Sequence, residues 1–384
     1  MAIVAQLVRA PVCGTGGSGF GSRRSPHSFL EETFRFMVAV WDMPDFDDHE
    51  GVHLFRDSSS GLTAIIAVHS THLGPAGGGV RFWHYADKSA AITDALRLSR
   101  GMSYKNAMAG LAMGGGKGVI LADAACVKSP VLVAAFAQAI DSLGGRYVTA
   151  QDVGMTLQDM IEIGKVTPHV SGLPPRVGGA GGDPGPSTAF GLFLGVKAAA
   201  RRALGTDSLN GVHVAIQGVG SVGGGLARHL AGAGATLTLA DINEAAAQIL
   251  AEELGASHCP SRDIMTIEAD ILSPCALGAI LHSETISALK VKAVAGGANN
   301  QLACATDADA LHARKILYAP DYVINAGGII NVALQYLDDA DAGAVVEKIS
   351  EIPDRLDMIW DESADSGAPP SQIADTLARR LIGR

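Results

Sequence analysis

GVHVAIQGVGSVGGGLARHLAGAGATLTLADIN, residues 211–243, reads as strand, glycine turn, helix and second strand without a break, a complete βαβ unit. Inside it Gly218, Gly220 and Gly223 keep GxGxxG spacing, with Val219, Ser221 and Val222 between them. The first glycine allows the tight turn, the second lets a pyrophosphate approach the backbone, and the third packs helix on strand. The start of the following helix supplies the anion site. A glycine turn alone is weak evidence, but Asp241 closes the next strand at the distance a ribose requires. Its carboxylate can accept from ribose hydroxyls and would repel a 2′-phosphate, which predicts NAD rather than NADP. An acid at that place can also cap the next helix.

Upstream, residues 98–120 read LSRGMSYKNAMAGLAMGGGKGVI, with Lys105 and Lys117 twelve residues apart around a glycine cluster. Two ammonium groups brought together repel, so one is driven toward neutrality unless an anion lies between them. A substrate carboxylate can neutralise Lys105 while Lys117 serves as general base, and Asp152, ending the strand-like RYVTAQDV, can shuttle protons. Taken singly, a lysine is usually a solvated surface group and Asp152 a helix cap. A lysine directly after three glycines and before an apolar strand is badly placed to be mere surface.

Periodicity predicts a strand at LTAIIAVHS, a helix over 90–108 carrying Lys105 near its end, and a strand GVILAD that puts Lys117 at a turn-to-strand junction. Further helices are predicted over 131–143 and 157–163. The Gly- and Pro-rich run 172–186 reads as a hinge, and a helix over 188–204 opens a second unit. Strands in ADILSPC, VKAVAGGA and ILYAPDYVINAGG then end in small or polar residues, the usual cofactor edge of an open parallel sheet.

The 384 residues favour two domains, and 48% hydrophobic with 18% charged residues is the balance of a compact α/β protein. A net charge of −10 without a basic cluster argues against nucleic acid and anionic membranes. Apolar runs such as VLVAAFAQAI reach about half of the roughly 20 residues a bilayer needs. Five cysteines without CxxC spacing read as cytosolic thiols, and no metal is expected.

The first thirty residues carry three arginines, no acid and five glycines, and lack periodicity; without their arginines the net charge falls to −13. An organelle transit peptide fits this composition only partly, because the glycines make a poor amphipathic helix. VAQLVRAPVCGTGGSGFGSRRSPHS closely resembles translation through a bacterial transfer-RNA gene. Residues 1–36 are therefore expected to be a non-native or disordered leader, with the functional chain starting near Met37 or Met43.

The segments LSRGMSYKNAMAGLAMGGGKGVI, YVTAQDVGMTLQDM, IQGVGSVG, LSPCALG, AGGANNQL and YAPDYVINAGGIINV, in that order across roughly residues 60–340, resemble the Glu/Leu/Phe/Val dehydrogenase family. The resemblance implies reversible oxidative deamination of an L-amino acid by NAD to a 2-oxo acid, ammonium and NADH. It implies an α/β substrate and oligomerisation domain over 37–170, rejoined by helices from 353–384. A cleft would separate it from a Rossmann-type domain over 171–352, in a cytoplasmic homo-oligomer, commonly an octamer. By motif, Lys105 would bind the substrate carboxylate, Lys117 would activate water and Asp152 would assist proton transfer. The Gly74 backbone and the Asn300 side chain would complete the amino-acid site. Thr188 would contact the nicotinamide amide, and Cys275 and Ala276 would lie beside the adenosine half, Cys275 through packing. The matching pocket positions Leu73, Ala150, Ile329 and Val332 are apolar, which disfavours glutamate. Leucine, with valine and isoleucine, is the expected substrate and phenylalanine the alternative. GPAGGGVRFW departs from the usual leucine-enzyme form at Gly77 and Val80. An NAD-binding amino-acid sensor would be expected to lose Lys117 or Asp152, and both are present.

Overall fold

The computed structural model describes residues 39–122, 128–338 and 340–384; the expected leader, Cys13 and Cys126 lie outside the described residues. The chain builds two sheets in succession. The first unit runs β1 (Gly51–Asp57), β2 (Leu62–Ser70), β3 (Ala76–Gly77), β4 (Val80–His84), α1 (Lys88–Met108), β5 (Gly114–Ala122), α2 (Pro130–Asp141), β6 (Tyr147–Val148) and α3 (Leu157–Gly164). Its strands pair in the order β1-β2-β5-β3-β6, with β4 also on β5. The two pairings of β2 are antiparallel and the rest are parallel.

The second unit runs α4 (Gly185–Leu204), β7 (His213–Gln217), α5 (Ser221–Gly232), β8 (Thr236–Ala240), α6 (Glu244–Leu254), β9 (Ser257–His258), β10 (Ile271–Pro274), α7 (Ser283–Ala288), β11 (Ala293–Val294), α8 (Thr306–Ala313) and β12 (Leu317–Tyr318). All six strands are parallel in the order β12-β11-β10-β7-β8-β9. This is the doubly wound arrangement, with its topological switch point between β7 and β10. After it come α9 (Asp321–Ile324), α10 (Gly327–Asp338), α11 (Ala342–Ile349), α12 (Ile352–Ser366) and α13 (Pro370–Leu381). Helix α13 returns to pack on α1, whereas α12 packs on α4 and α9.

Three local expectations need correction. Gly114–Gly116 form no turn; they are the first residues of β5, and Lys117 stands inside the strand. Their bareness serves close packing. A Cβ at Gly114 would lie 1.9 Å from the Ser70 carbonyl oxygen, one at Gly115 would lie 2.1 Å from the Ser103 nitrogen, and one at Gly116 would lie 2.7 Å from the Tyr147 ring. Next, α4 begins at Gly185, because Pro186 is well suited to a first helical turn. Finally, YVINAGG is helical in α9 and α10.

The 172–186 hinge has no regular structure until Gly185, yet its backbone is not left to water. Gln335 Oε1 accepts from the Gly172 and Leu173 N–H groups, and Asn331 exchanges two hydrogen bonds with Gly181, all between 2.9 and 3.0 Å. Among the described residues, no helix is long and apolar enough to cross a membrane.

Candidate active site

The glycines of β5 bring the two lysines together. Ser103 lies on Gly115, and the Asn106 amide donates to the Gly114 carbonyl at 2.6 Å, so the end of α1 is clamped to the start of β5. Lys105 follows Ser103 by two residues and Lys117 follows Gly115 by two. The two lysines lie close enough for the charge of Lys117 to lower the Lys105 pKa. Lys117 is only 5% exposed, and its ammonium donates to Asp152 Oδ2. Asp152 reaches it because Gly79 carries no side chain: a Cβ there would come within 2.9 Å of Asp152 Cβ.

The electrostatics of the trio follow from burial. Desolvation drives the Lys117 pKa down, and the Asp152 carboxylate opposes this without reversing it. Burial pushes Asp152 up, but Lys117 and Arg81 outweigh it and hold the carboxyl below its usual range. Lys105 is lowered to about 8, first by burial and then by Lys117, with Asp321 pulling the other way. The site thus holds a lysine inclined to neutrality, an ionised carboxylate and a second lysine lowered to about 8.

Asp321 escaped the sequence reading. It opens α9, and its carboxylate accepts the N–H groups of Gln301 at 3.1 Å and Tyr322 at 2.8 Å. Burial raises its pKa against the pull of those amides and Lys105. It therefore links the lysine helix to the ANNQ loop, where exposed Asn300 takes the left-handed conformation with φ 52°. The available signal was an acid between an apolar strand and a helix, a weak one. Arg81, in GGGVRFW, was also missed.

Gly74 has φ 141°, and a Cβ there would strike the Ala112 carbonyl at 2.2 Å. Its N–H donates to Thr71, and its carbonyl receives only a 3.3 Å bond from Gly114, leaving acceptor capacity for a ligand. Leu73 beside it and Ile329 on α10 are half-buried against the same apolar cluster, and Val332 is buried one turn further along α10. Half-buried Ala150 uses its carbonyl to accept the Val80 N–H at 2.9 Å. The two departures in GPAGGGVRFW are absorbed by packing. Met113 Cε fills the room beside Gly77, where a Cβ would meet it at 2.6 Å, and Val80 is fully buried in the first core.

At the switch point the three glycines of the turn have three different surroundings. A Cβ at Gly218, φ 91°, would meet Ala276 at 2.8 Å; one at Gly223 would lie 1.9 Å from the Gly218 carbonyl oxygen; one at Gly220 would meet nothing within 4 Å. The middle position is open space at the head of α5, where Ser221 and Val222 begin the helix. That is the cradle a dinucleotide pyrophosphate needs. Asp241 accepts from the Val219 backbone, and α6 is capped by Asn243, which removes the capping explanation for Asp241. Cys275 packs beside Gly223, and burial raises its thiol pKa, so it is no reactive thiolate. Thr188 binds the Pro184 carbonyl on α4, whose first residue, Gly185, abuts the Ser221 hydroxyl. Ile242 and Leu277, 94% and 74% exposed, follow Asp241 and Ala276 and leave two apolar side chains bare around the same crevice. A cavity of about 610 Å³ opens instead at the opposite sheet edge, lined by residues such as His213, Asp270, Lys292 and Arg314. There Asp270 binds the His213 N–H, and Arg314 binds the Leu289 carbonyl, which closes strand starts together.

A doubly wound nucleotide-type sheet with an open glycine turn, joined in one chain to a lysine pair and an aspartate, is the make-up of a two-domain amino-acid dehydrogenase. Residues 49–168 match the Glu/Leu/Phe/Val dehydrogenase dimerisation domain, and residues 237–367 match the Glutamate/Leucine/Phenylalanine/Valine dehydrogenase domain. Leucine dehydrogenase of Bacillus subtilis is 47% identical over 88% of this chain and 92% of its own. Valine dehydrogenase of Streptomyces virginiae is 44% identical over 88% and 95%. The crystal structure of L-tryptophan dehydrogenase from Nostoc punctiforme superposes with a TM-score of 0.78 at 39% identity, covering 87% of this chain and 96% of that one. The chain belongs to the Glu/Leu/Phe/Val dehydrogenase family, whose members are NAD(P)-dependent.

Proposed function

We propose that the protein catalyses NAD-linked, reversible oxidative deamination of branched-chain L-amino acids, with leucine preferred and valine and isoleucine accepted. The observation that carries this is the ion pair of buried Lys117 with Asp152 beside Lys105; the positions that the resemblance assigns to the side-chain pocket, Leu73, Ala150, Ile329 and Val332, are all apolar and offer no cation to a side-chain carboxylate. The nicotinamide supplies a hydride acceptor when bound. Lys105 holds the α-carboxylate together with Asn300, and the Gly74 carbonyl and Asp152 receive the ammonium. Asp152 takes a proton from the nitrogen, and neutral Lys117 removes one from the water that attacks the imine carbon. Thr188 would contact the carboxamide, the 218–223 turn would hold the pyrophosphate, and Asp241 would hold the ribose beside Cys275 and Ala276.

The leucine and valine relatives support the aliphatic choice. Absorbance of NADH across a panel of leucine, valine, isoleucine, phenylalanine, tryptophan and glutamate tests it: kcat/KM should be highest for the branched aliphatic substrates, and a preference for an aromatic or acidic substrate would reject it. The resemblance further supports a substrate domain over 37–170, a nucleotide domain over 171–352 and a homo-octamer in the cytoplasm. Light scattering on purified protein tests the assembly.

A further inference from the structure

Arg81 lies on β4, and the steps proposed above give it no part, although its charge favours the ionised form of Asp152. Its guanidinium is wedged between two carboxylates. Nη1 donates to Asp94 Oδ2 at 2.9 Å, and Nε stands 3.5 Å from Asp152 Oδ2, the oxygen that Lys117 already occupies. That Nε is buried and makes no hydrogen bond. Asp94, on α1, is held from its other side by the Tyr85 hydroxyl, which donates to the same oxygen at 2.6 Å. Charges therefore alternate in a row from Lys117 through Asp152 and Arg81 to Asp94.

An unpaired buried donor is costly, so its persistence needs a reason. Here the donor is aimed at an oxygen whose present partner must let go. When Lys117 is neutral and turns to water, a half-buried Asp152 with no other cation beside it would take up a proton more readily. Guanidinium cannot be deprotonated in a protein, so it stays a fixed positive charge beside the carboxylate. We infer that Arg81 is a positioning residue that keeps Asp152 ionised and in place while Lys117 is neutral, Asp94 and Tyr85 holding the guanidinium in register. The inference rests on the deamination reading above. Among the described residues, the charged and titratable groups facing the Lys117–Asp152 pair are Arg81 on β4, Asp94 and Lys105 on α1, Tyr147 on β6, Tyr85 beyond β4 through Asp94, and Asp321 through Lys105.

The test is the pH dependence of kcat/KM for leucine in the full-length protein, with NADH binding followed by fluorescence to verify each fold. Removing the positive charge in Arg81→Gln makes Lys117 easier to protonate, so the acid limb moves alkaline by about half a pH unit or more. Activity on that limb then falls at least about threefold. Arg81→Lys restores the charge and returns the limb toward the wild-type position. Asp94→Asn removes a negative charge and moves the limb the opposite way. An unmoved limb in folded Arg81→Gln, or shifts in the same direction for Arg81→Gln and Asp94→Asn, overturns the inference. If Arg81→Gln fails to bind NADH, the other two variants decide. An acidward limb in Asp94→Asn with a near-wild-type limb in Arg81→Lys upholds it, and any other pattern rejects it. Wild-type protein that binds NADH yet deaminates no amino acid removes the deamination reading and this inference with it, a result distinct from unmoved limbs.

Discussion

The Asp241 carboxylate spans from the end of β8 to the glycine turn: one oxygen accepts the Val219 N–H at 2.8 Å and the other accepts the Asn243 N–H at 2.8 Å. The acid is fixed by its neighbours before any cofactor arrives, so it cannot swing away from a 2′-phosphate. NADP should therefore serve at least tenfold worse than NAD, about 1.4 kcal/mol. Steady-state kcat/KM with both cofactors checks this, and Asp241→Asn should narrow the ratio.

Gly220 and Gly223 separate cofactor binding from folding. Gly220→Ala puts its methyl in open space, so thermal stability should hold while NADH affinity drops tenfold or more. Gly223→Ala drives a methyl into the Gly218 carbonyl and should cost about 1–3 kcal/mol, lowering Tm by several degrees. Calorimetry and fluorescence titration read the two effects.

Lys117→Ala should lower kcat by about 10²-fold or more with NADH still bound, since it deletes the base without touching the nucleotide fold. Undiminished deamination would discard the mechanism. Lys105→Ala should instead weaken substrate binding, and turnover through misplacement.

Lys105 binds a carboxylate only while charged, and its pKa in the free protein is about 8. In kcat/KM for the amino acid, charge at Lys105 is lost as pH rises through that value, giving an alkaline limb. With saturating substrate the bound carboxylate keeps Lys105 protonated to higher pH, so kcat should lack that limb. Asp321→Asn removes the anion that supports the charge and should move the limb to lower pH. Paired pH profiles of kcat/KM and kcat check both statements.

The βαβ unit and its turn were legible because their glycines, apolar strands and Asp241 follow local rules within about thirty residues. The lysine pair was legible through its motif, but the reason for its glycines was not. Gly114–Gly116 look like a turn in isolation, and only the arrival of Ser70, Ser103 and Tyr147 from elsewhere makes them a strand. Asp321 and Arg81 were hidden for a related reason: each matters through a partner distant in the chain, Lys105 for one and Asp152 for the other. No periodicity encodes such a meeting.

The tight packing of the glycines on and around β5 also dictates where this catalyst can be re-engineered. Positions 74, 78, 114, 115 and 116 have no space for even a methyl group, so libraries aimed at altered selectivity would chiefly yield misfolded clones there. Under the proposed function, diversity belongs at Leu73, Ile329 and Val332, the positions assigned there to the side-chain pocket. Met113, which fills the gap beside Gly77, is fully buried, so trimming it to Ala would vacate volume at a cost of about 2–5 kcal/mol in stability.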